Sequence, residues 1–536
     1  MTTRLQVDSL GISFLQRGEA LAAVRDVSFS LSQAATLGIV GESGSGKSAC
    51  CNALLGLHPK FSTRLSGSAK LEGVELINAS ERTLRSVRGG RIGMVFQDPM
   101  TALNPHMTIG RQLVEPARLH RAIGRHAAWL EATRLLDEVG IKKPAQTMQC
   151  YAHELSGGMR QRVLIAMALI AKPEFLLADE PTTALDVSTQ AQILALLDTL
   201  RQRYNMGLLF VSHDLHVVEQ VCEDVLVMRS GQVVERGPCK QIFSNPQHPY
   251  TRALLDAIPH TAKPFAFVPG AGAAASQLSL QNIDVVYRKG RIALHAVKNA
   301  SLSLRRGEVL GVVGESGSGK SSLARAALRL LDIHSGEVQL GAQPLHQLQG
   351  EALRRERKRI QMVFQDPYAS LNPRKTLFDT LAEPLRLHRI CANQKQLLQK
   401  VGRLLDDVGL ESRWHRRYPH QLSGGQRQRL AVARALAPEP EFLIADEAVS
   451  ALDVSVQAQI LDLLLRACKE QAIGMLFITH DIAVVRYVAD RVAVMHEGVI
   501  VEQGDTERLL RQPAHAYTRS LLGACLGLEL PHTKKQ

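Results

Sequence analysis

The sequence predicts an α/β protein built from two similar domains in tandem, and three observations support this prediction. The glycine-rich stretch GESGSGKS occurs twice, at Gly41–Ser48 and at Gly314–Ser321. Each copy follows a short apolar run typical of a buried strand and precedes a stretch typical of a helix. Several other motifs recur in the same order in both halves, so two copies of one unit fill almost the whole chain.

Length and composition agree with two folded domains. The 536 residues exceed one ordinary domain, and 45% hydrophobic with 21% charged residues is ordinary globular usage. We predict a first domain over residues 1–258, a linker over 259–277 and a second domain over 278–536. The linker is rich in Gly, Ala and Pro, and its short length holds the domains at high effective concentration. The two domains are therefore expected to pair within one molecule.

Composition also bears on location and partners. No apolar run approaches the ~18–20 residues needed to cross a bilayer. The stretch MTTRLQVDSL has no apolar h-region, so a secretory signal is not expected there. The eight cysteines show no zinc spacing and are expected to be reduced structural thiols. The net charge of +13 suits nucleic acid, an anionic membrane surface or phosphate ligands. Aromatic residues are only 4%, which argues against stacking platforms for single-stranded nucleic acid.

The repeated G-x-x-x-x-G-K-S stretch is the pattern of a phosphate-binding loop. Its glycines let backbone N–H groups point at phosphate oxygens, and the helix N-terminus adds a favourable field. Lys47 and Lys320 are expected to reach the β- and γ-phosphates, and Ser48 and Ser321 to ligate Mg²⁺. The residues predicted to contact nucleotide in the two loops are Gly41, Glu42, Ser43, Gly44, Ser45, Gly46, Lys47, Ser48, Gly314, Glu315, Ser316, Gly317, Ser318, Gly319, Lys320 and Ser321.

A second apolar strand ends in two acids in each half, as FLLADE and FLIADE. Asp179 and Asp446 are candidates for holding Mg²⁺ through water. Glu180 and Glu447 are placed to polarise an attacking water as general bases. The pattern alone would be weak, but a phosphate loop in the same repeat strengthens it.

Two further pairs are candidates for the reacting water. Gln97 and Gln365 follow the strands MVF and are expected to reach both metal and water. His213 and His480 follow apolar runs, where a lone histidine is usually structural. Both histidines stand at the same distance after the candidate base, which favours hydrogen bonding to the γ-phosphate and orientation of the water.

Two other repeated features are one aromatic residue at the same spacing and a Leu-Ser-Gly-Gly motif in each half. Phe14 and Tyr287 lie at the same distance before their glycine loops and are candidates for stacking on adenine, although aromatic residues in strands are usually core. Leu-Ser-Gly-Gly precedes a long helical stretch in each half, and such a helix start is a second anion site. Composition and spacing do not reveal what this motif faces.

Together these motifs resemble the nucleotide-binding subunit of ATP-binding-cassette (ABC) transporters, over essentially the full length of both halves. The glycine loop and the acidic strand then match the family's Walker A and Walker B motifs, and Leu-Ser-Gly-Gly matches its signature. The resemblance implies two tandem P-loop NTPase domains. Each would have a RecA-like α/β core, an antiparallel β subdomain and an α-helical signature subdomain.

The resemblance also implies two composite nucleotide sites. In the family, two cassettes pair head to tail, and each ATP lies between Walker A of one copy and the signature of the other. Two aspartates match the D-loop position. The residues that the resemblance adds are Ser156, Gly157, Gly158, Asp186, Ser423, Gly424, Gly425 and Asp453. Neither site has lost a chemical group, and the one departure, Ala448 in place of Pro181, lies beside the base without replacing it.

Finer features narrow the resemblance to one group of transporters. FQDP-x-x-x-LNP and the tail H-x-Y-T-R-x-LL look like the peptide/opine/nickel uptake group. The fused arrangement is similar to the Yej-type tandem ATPases of peptide and microcin importers. This resemblance implies an ATP-driven motor for solute import, with ATP and Mg²⁺ as cofactors. Some relatives carry an iron–sulfur cluster after the H-x-Y-T motif, but this stretch has no cysteine here, so no cluster is expected.

The same resemblance implies partners and a location. Two separate transmembrane permease subunits and a solute-binding protein would complete the importer, with this chain peripheral on the cytoplasmic face of the inner membrane. LVEPARLH (113–120) and LAEPLRLH (381–388) fall where the family docks membrane-subunit helices, or are simply amphipathic surface helices. The solute stays open among peptide, peptide antibiotic, opine-type metallophore and nickel.

A different class of function is kept as the alternative. Tandem cassettes without membrane domains also occur in ribosome-binding translation factors and DNA-repair ATPases. Such proteins carry a long charged helical linker or inserted zinc modules, whereas this chain has a short linker and no zinc spacing. No nucleic acid partner is therefore expected. An exporter motor is a third and weaker alternative.

Overall fold

In a computed structural model, the chain forms two compact units, the first made almost wholly of residues up to 257 and the second of residues from 277 onward. The structure describes residues 4–16, 19–183, 185–257, 277–289, 292–449 and 452–526. The predicted linker over 259–277 lies outside these ranges, except for Gln277, which is the first residue of a strand. The stretch in which no iron–sulfur cluster is expected also lies largely outside them.

The first unit contains two sheets. Its strands are β1 (Arg4–Gln16), β2 (Glu19–Ser32), β3 (Thr36–Val40), β4 (Thr63–Leu71), β5 (Val74–Glu75), β6 (Ile92–Val95), β7 (Phe175–Asp179), β8 (Gly207–Ser212), β9 (Asp224–Arg229) and β10 (Gln232–Pro238). A six-stranded sheet has the order β10-β9-β3-β8-β7-β6 and is parallel except for the edge strand β10. A four-stranded antiparallel sheet has the order β2-β1-β4-β5.

Helices of the first unit cover the larger sheet and form a separate group. They are α1 (Lys47–Leu54), α2 (Glu81–Val87), α3 (Pro99–Ala102), α4 (Ile109–Arg121), α5 (Arg125–Glu138), α6 (Pro144–Thr147), α7 (Gly157–Leu169), α8 (Val187–Tyr204), α9 (Leu215–Val221), α10 (Cys239–Ser244) and α11 (Pro249–Asp256). The group α3 to α7 lies in the chain between β6 and β7 and includes one 3₁₀ turn at Ala152–Glu154.

The second unit repeats this plan. Its strands are β11 (Gln277–Lys289), β12 (Ile292–Arg305), β13 (Val309–Val313), β14 (Ser335–Leu340), β15 (Gln343–Pro344), β16 (Ile360–Val363), β17 (Phe442–Asp446), β18 (Gly474–Ile478), β19 (Arg491–His496) and β20 (Val499–Asp505). The sheet orders are β16-β17-β18-β13-β19-β20 and β12-β11-β14-β15. The order of the first is that of the first unit, read from the opposite edge.

Its helices also correspond to those of the first unit. They are α12 (Lys320–Ala327), α13 (Gly350–Arg357), α14 (Pro367–Ser370), α15 (Leu377–Leu387), α16 (Gln394–Asp407), α17 (Gly424–Leu436), α18 (Val454–Gln471), α19 (Ile482–Val488), α20 (Thr506–Arg511) and α21 (Ala516–Leu526). Three 3₁₀ turns lie at Leu345–Gln347, Ser412–Arg416 and Pro419–Gln421.

Burial explains why the central strands are continuous apolar runs. Every residue of β3, β7 and β8 is buried, as expected for parallel strands covered on both faces. Phe175 and Phe210 of the first unit, and Phe442 and Phe477 of the second, are among the largest fully buried side chains. The motifs follow the carboxyl ends of these buried strands, which therefore give them a rigid support.

The predicted architecture is confirmed. Each unit has an α/β core, an antiparallel β part and a helical part that begins after the Gln motif. The predicted strands before the glycine loops and before the paired acids are present as β3, β7, β13 and β17. Among the described helices, none has the length and hydropathy that a bilayer crossing requires.

Candidate nucleotide site in each unit

The phosphate loop connects β3 to α1 in the first unit and β13 to α12 in the second. Helix α1 begins at Lys47, directly after Gly46, whose φ of 102° lies in the left-handed region. A Cβ on Gly46 would lie 2.8 Å from the carbonyl oxygen of Ala23, and one on Gly319 would lie 2.2 Å from that of Ala296. Both the backbone angle and the close approach therefore require glycine here.

The loop lysine is folded over its own loop. Nζ of Lys47 donates to the carbonyl oxygens of Gly41 at 2.7 Å and Glu42 at 2.9 Å. Nζ of Lys320 donates in the same way to Gly314 at 2.7 Å and Glu315 at 2.8 Å. Burial lowers the pKa of Lys320, although nearby carboxylates oppose this effect. Carbonyl oxygens thus hold each lysine ammonium at its loop, and phosphate oxygens can replace these acceptors.

A serine and an aspartate form the candidate Mg²⁺ position. The Oγ of Ser48 donates to Oδ1 of Asp179 at 2.8 Å, and Ser321 donates to Asp446 at 2.8 Å. Burial raises the pKa of Asp179, and the Ser48 hydrogen bond offsets this only in part. A hydroxyl and a carboxylate are oxygen ligands of the kind that Mg²⁺ takes, and a nearby cation favours the charged form of a buried carboxylate. The residues present therefore fit the ion.

The candidate base sits at the centre of a cluster of donors in the first unit. Oε2 of Glu180 accepts from Nε2 of Gln97 at 2.8 Å and from Oγ1 of Thr183 at 2.9 Å, and it lies 3.3 Å from Nδ1 of His213. Burial raises the pKa of Glu180, but His213, Thr183 and the charge of Lys47 outweigh it and lower the pKa to about 2. The carboxylate is therefore ionised at neutral pH.

The second unit builds the same cluster. Oε2 of Glu447 accepts from Nε2 of Gln365 at 2.7 Å, and Oε1 lies 3.6 Å from Nδ1 of His480. Burial lowers the pKa of His480, but the hydrogen bond and charge of Glu447 outweigh it, so the pKa is raised. Burial raises the pKa of Glu447, and His480 lowers it overall.

Both candidate bases have a strained backbone. Glu180 has φ of 46° and Glu447 has φ of 45°, a left-handed conformation that is uncommon for glutamate. The N–H of Glu180 donates to Val211 at 2.9 Å, and that of Glu447 donates to Ile478 at 2.9 Å, which ties each turn to the neighbouring strand. Strain of this kind persists only where the surrounding structure imposes it, and it aims the carboxylate at its cluster.

The two aromatic residues predicted to stack on adenine lie near the helix that follows the phosphate loop, which is α1 or α12. Their contacts differ. The ring of Phe14 meets the ring of His58 edge to face at 5.5 Å, and His58 in turn contacts the carbonyl of Ala49. Tyr287 is 39% exposed, and its hydroxyl lies 3.2 Å from Oγ of Ser322. Phe14 is partly buried against the core of its unit, whereas Tyr287 is exposed.

The signature residues are held within the helical part of their own units. Oγ of Ser156 caps α7 by accepting from Met159, and Oγ of Ser423 caps α17 by accepting from Gln426. Gly157, Gly158, Gly424 and Gly425 form the first turns of these two helices. Asp453 is the N-cap residue of α18, and Asp186 accepts from Ser188 at 2.9 Å.

One residue of the cluster was missed by sequence reasoning. Thr183 lies three residues after Glu180, and its hydroxyl donates to the same carboxylate oxygen as Gln97. The only signal in the sequence was its place in the turn after the acidic strand, where many residues could serve. The contact occurs beside the left-handed backbone of Glu180, for which the sequence gives no signal.

Fold and site together define a nucleoside-triphosphatase with a phosphate loop, in two copies. The ABC transporter family model matches residues 24–183 and 297–450. A second model, the C-terminal region of oligopeptide/dipeptide transporters, matches residues 234–280 and 501–535. The chain belongs to the ABC transporter family and is an ATP-binding and ATP-hydrolysing member of it.

Similar proteins match almost the whole length of this chain. The glutathione import ATP-binding protein GsiA of Escherichia coli (strain K12) is 45% identical, covering 97% of this chain and 89% of the relative. GsiA of Pectobacterium atrosepticum is 44% identical with the same coverage. A solved dimeric ATP-binding cassette bound to ADP and Pi is 31% identical and covers 43% of this chain and 98% of its own, with a TM-score of 0.40. The GsiA relatives and the match to the oligopeptide/dipeptide transporter model support transport rather than the ribosome- or DNA-associated alternative.

Proposed function

We propose that this protein is the ATP-hydrolysing motor of an importer for peptides or peptide-like solutes. The observation that carries the proposal is the double match to the oligopeptide/dipeptide transporter C-terminal region, once in each unit. The relatives GsiA are glutathione import proteins, and glutathione is itself a small peptide. The motor would act with two transmembrane permease subunits and a solute-binding protein, from the cytoplasmic face of the membrane.

In the first unit, the proposed mechanism starts with ATP in the phosphate loop. Lys47 exchanges the carbonyls of Gly41 and Glu42 for phosphate oxygens, while backbone N–H groups of the loop bind the rest of the phosphate chain. Ser48 and Asp179 would hold Mg²⁺, which when bound neutralises phosphate charge. The matching residues of the second unit do the same.

The base then has to change partners. Glu180 is ionised, but with a pKa of about 2 it is a weak proton acceptor while its donors remain in place. An attacking water that takes the place of Gln97 or Thr183 at Oε2 donates a hydrogen bond to the carboxylate and can lose a proton to it. His213 stays beside the glutamate and holds the water in line. Glu447, Gln365 and His480 act alike in the second unit.

We further propose that the signature residues of both units contact nucleotide, as the family resemblance implies. Ser156 and Ser423 each cap a helix start, which presents backbone N–H groups suited to an anion. The proposal can be tested with Ser423→Arg, which places a bulky side chain at one signature only. Turnover should fall while a photoreactive ATP analogue still labels both phosphate loops. Normal turnover in this variant would contradict a role of the signature in hydrolysis.

Helices α4 and α15 are proposed to carry the contact to the permease. Leu119 is 75% exposed on α4, and Leu387 is 50% exposed at the end of α15, at matching places in the two units. Both helices bury their other face, so an exposed leucine in each leaves apolar surface for a partner. Surface of this kind at the start of the helical part fits a membrane-subunit helix.

Affinity capture tests the proposed function. Tagged protein is recovered from gently solubilised cells, and the co-purified proteins are identified by mass spectrometry. Two polytopic membrane proteins in stoichiometric amounts are expected. Leu119→Ser with Leu387→Ser should reduce their recovery, while the control pair Leu130→Ser and Leu398→Ser, exposed on α5 and α16, should not. Recovery of ribosomes or DNA-repair proteins without membrane partners would overturn the transport role.

A further inference from the structure

The last helix of each unit reaches back to the phosphate loop through a tyrosine. The Tyr250 hydroxyl, at the start of α11, accepts a hydrogen bond from the backbone N–H of Glu42 at 3.2 Å. The Tyr517 hydroxyl, at the start of α21, accepts from the backbone N–H of Glu315 at 3.1 Å. The contacts span 208 and 202 residues of sequence, so the repeated H-x-Y-T-R tail belongs to the surroundings of the nucleotide site.

The tyrosine shares a peptide group with the loop lysine. The peptide group between Gly41 and Glu42 accepts a hydrogen bond from Nζ of Lys47 at its carbonyl oxygen, at 2.7 Å, and donates its N–H to the Tyr250 hydroxyl. A trans peptide is planar, so its C=O and N–H point in opposite directions and rotate together. The tyrosine on one side therefore fixes the orientation of the carbonyl that holds the lysine on the other.

The second unit has the same arrangement. The peptide group between Gly314 and Glu315 accepts a hydrogen bond from Nζ of Lys320 at its carbonyl oxygen, at 2.7 Å, and donates its N–H to the Tyr517 hydroxyl. The two copies have diverged around this contact, because one tail reads HPYTRALL and the other HAYTRSLL. The tyrosine and its hydrogen bond are present in both.

Each tyrosine is itself held in place from several sides. In the first unit, the Tyr250 N–H donates to Nδ1 of His248 at 3.1 Å, and the guanidinium of Arg229 lies 4.8 Å from the centre of the Tyr250 ring. The carboxylate of Glu235 accepts from the backbone N–H of His248 at 3.1 Å and so anchors the turn before the helix. Only 7% of Tyr250 is exposed.

The second tyrosine has matching supports with a different ring partner. The Tyr517 N–H donates to Nδ1 of His515 at 3.2 Å, and Glu502 accepts from the N–H of His515 at 3.0 Å. The ring of His496 stacks on Tyr517 with centroids 3.8 Å apart. A hydroxyl held this firmly can impose an orientation on a peptide group rather than follow it.

We infer that Tyr250 and Tyr517 are positioning residues for ATP binding, which act through the first peptide group of the phosphate loop and the lysine bonded to it. Each tyrosine contributes no group to the phosphates. It fixes the orientation of the glycine carbonyl that accepts from the lysine, and so holds the lysine ammonium at the loop before nucleotide binds. The inference concerns nucleotide binding and does not depend on the transported solute.

The test compares two double variants of the full chain. Tyr250→Phe with Tyr517→Phe removes only the two hydroxyls. The matched control, Tyr204→Phe with Tyr487→Phe, removes hydroxyls that donate to Glu138 at 3.0 Å and to Asp462 at 2.8 Å, on helices of the same two units. Steady-state hydrolysis gives KM and kcat for ATP, thermal unfolding gives Tm, and hydrogen exchange reports on the peptide that contains the loop.

The positioning role predicts that KM and loop exchange change while kcat and Tm change little. KM for ATP should rise about three- to tenfold, the effect of one lost hydrogen bond, with kcat changed less than about twofold. Exchange of the loop amides should accelerate, and Tm should move no more than in the control pair. A fall in Tm with unchanged KM and loop exchange would show that the tyrosines only anchor the last helix. An unchanged KM with a normal Tm would likewise overturn the inference.

Discussion

Gln97 donates a hydrogen bond to Glu180 across 2.8 Å, and this contact joins the ends of the neighbouring strands β6 and β7. Gln97 also directly precedes Asp98, the N-cap residue of α3, with which the helical part of the unit begins. Gln97 thus connects the start of the helical part to the candidate base. The same relationship links Gln365 to Glu447 at 2.7 Å in the second unit.

Replacing the candidate bases should separate binding from hydrolysis. Glu180→Gln and Glu447→Gln each keep the size of the side chain and remove its ability to take a proton. Each single change is expected to lower ATP turnover by at least about a hundredfold, if both sites work and are coupled. ATP binding, measured with a fluorescent analogue, should be retained because the loop lysines are untouched. Phosphate release measures the turnover.

A remote carboxylate provides the control for this experiment. Glu138 accepts from the hydroxyl of Tyr204 at 3.0 Å on the helices of the first unit, away from the donor cluster. Glu138→Gln should leave turnover within about twofold of the unmodified protein. If Glu180→Gln or Glu447→Gln alone hydrolyses ATP at the normal rate, the two sites are not equivalent.

The serine–aspartate pairs predict a dependence on Mg²⁺. Ser48→Ala with Ser321→Ala removes one oxygen ligand from each site, and the Mg²⁺ concentration for half-maximal hydrolysis should rise about tenfold or more. Removal of the metal with a chelator should abolish hydrolysis and be reversed by added Mg²⁺. Ser86→Ala, which removes a hydroxyl bonded to Thr83 on α2, should leave the Mg²⁺ titration unchanged. An unchanged titration in the double variant would place the ion elsewhere.

The sequence predicted those parts of the fold and site that are local. A strand, a glycine turn and a helix within about twenty residues fix Lys47 and Ser48 together, and an apolar strand ending in two acids fixes Asp179 beside Glu180. The α/β fold followed from the repetition of these units. The duplication also paired each residue with a counterpart, so every local prediction was made twice.

Features that depend on distant or strained backbone were not predicted. The Tyr250 tail was noticed as a repeat but not assigned to the site, because its partner Glu42 is 208 residues away. The left-handed backbone of Glu180, with φ of 46°, carries no sequence signal, since glutamate rarely adopts it. His213 was expected at the γ-phosphate, and in the structure its Nδ1 lies 3.3 Å from Glu180. Its role toward phosphate stays a prediction.

Glu75 predicts a pH dependence of stability that is specific to the first unit. Its carboxylate accepts from Oγ of Ser68 and from the backbone N–H groups of Ala69, Leu76 and Ile77. Burial raises the pKa of Glu75, but these hydrogen bonds lower it overall below 4.5. A lowered folded pKa adds stability above the ordinary value, and this is lost as pH falls below 4.5 toward the lowered pKa.

Urea denaturation from neutral pH down to about pH 3 measures this contribution. Glu75→Gln should cost about 1 kcal/mol of unfolding free energy at neutral pH and should flatten the acid-side loss in the first unit. The matching position of β15 in the second unit is Pro344, which pairs with Gln339 as Glu75 pairs with Lys70. The second unit therefore lacks this carboxylate, and its acid response should not change. Parallel pH profiles for the variant and the unmodified protein would contradict the assignment.

Replacing two glycines of each phosphate loop by alanine is expected to lower stability by different amounts. Gly44 and Gly46 both have positive φ, 79° and 102°, so alanine at either position is strained by about 1–2 kcal/mol. A Cβ at Gly44 meets no heavy atom within 4 Å, whereas one at Gly46 lies 2.8 Å from the carbonyl oxygen of Ala23. Gly46→Ala should therefore lower Tm in the absence of nucleotide clearly more than Gly44→Ala. In the second unit, Gly319→Ala should exceed Gly317→Ala by a larger margin, because its Cβ would lie 2.2 Å from the carbonyl oxygen of Ala296. Equal effects within either pair would mean that backbone strain alone requires these glycines and that the strand packed against the loop yields freely.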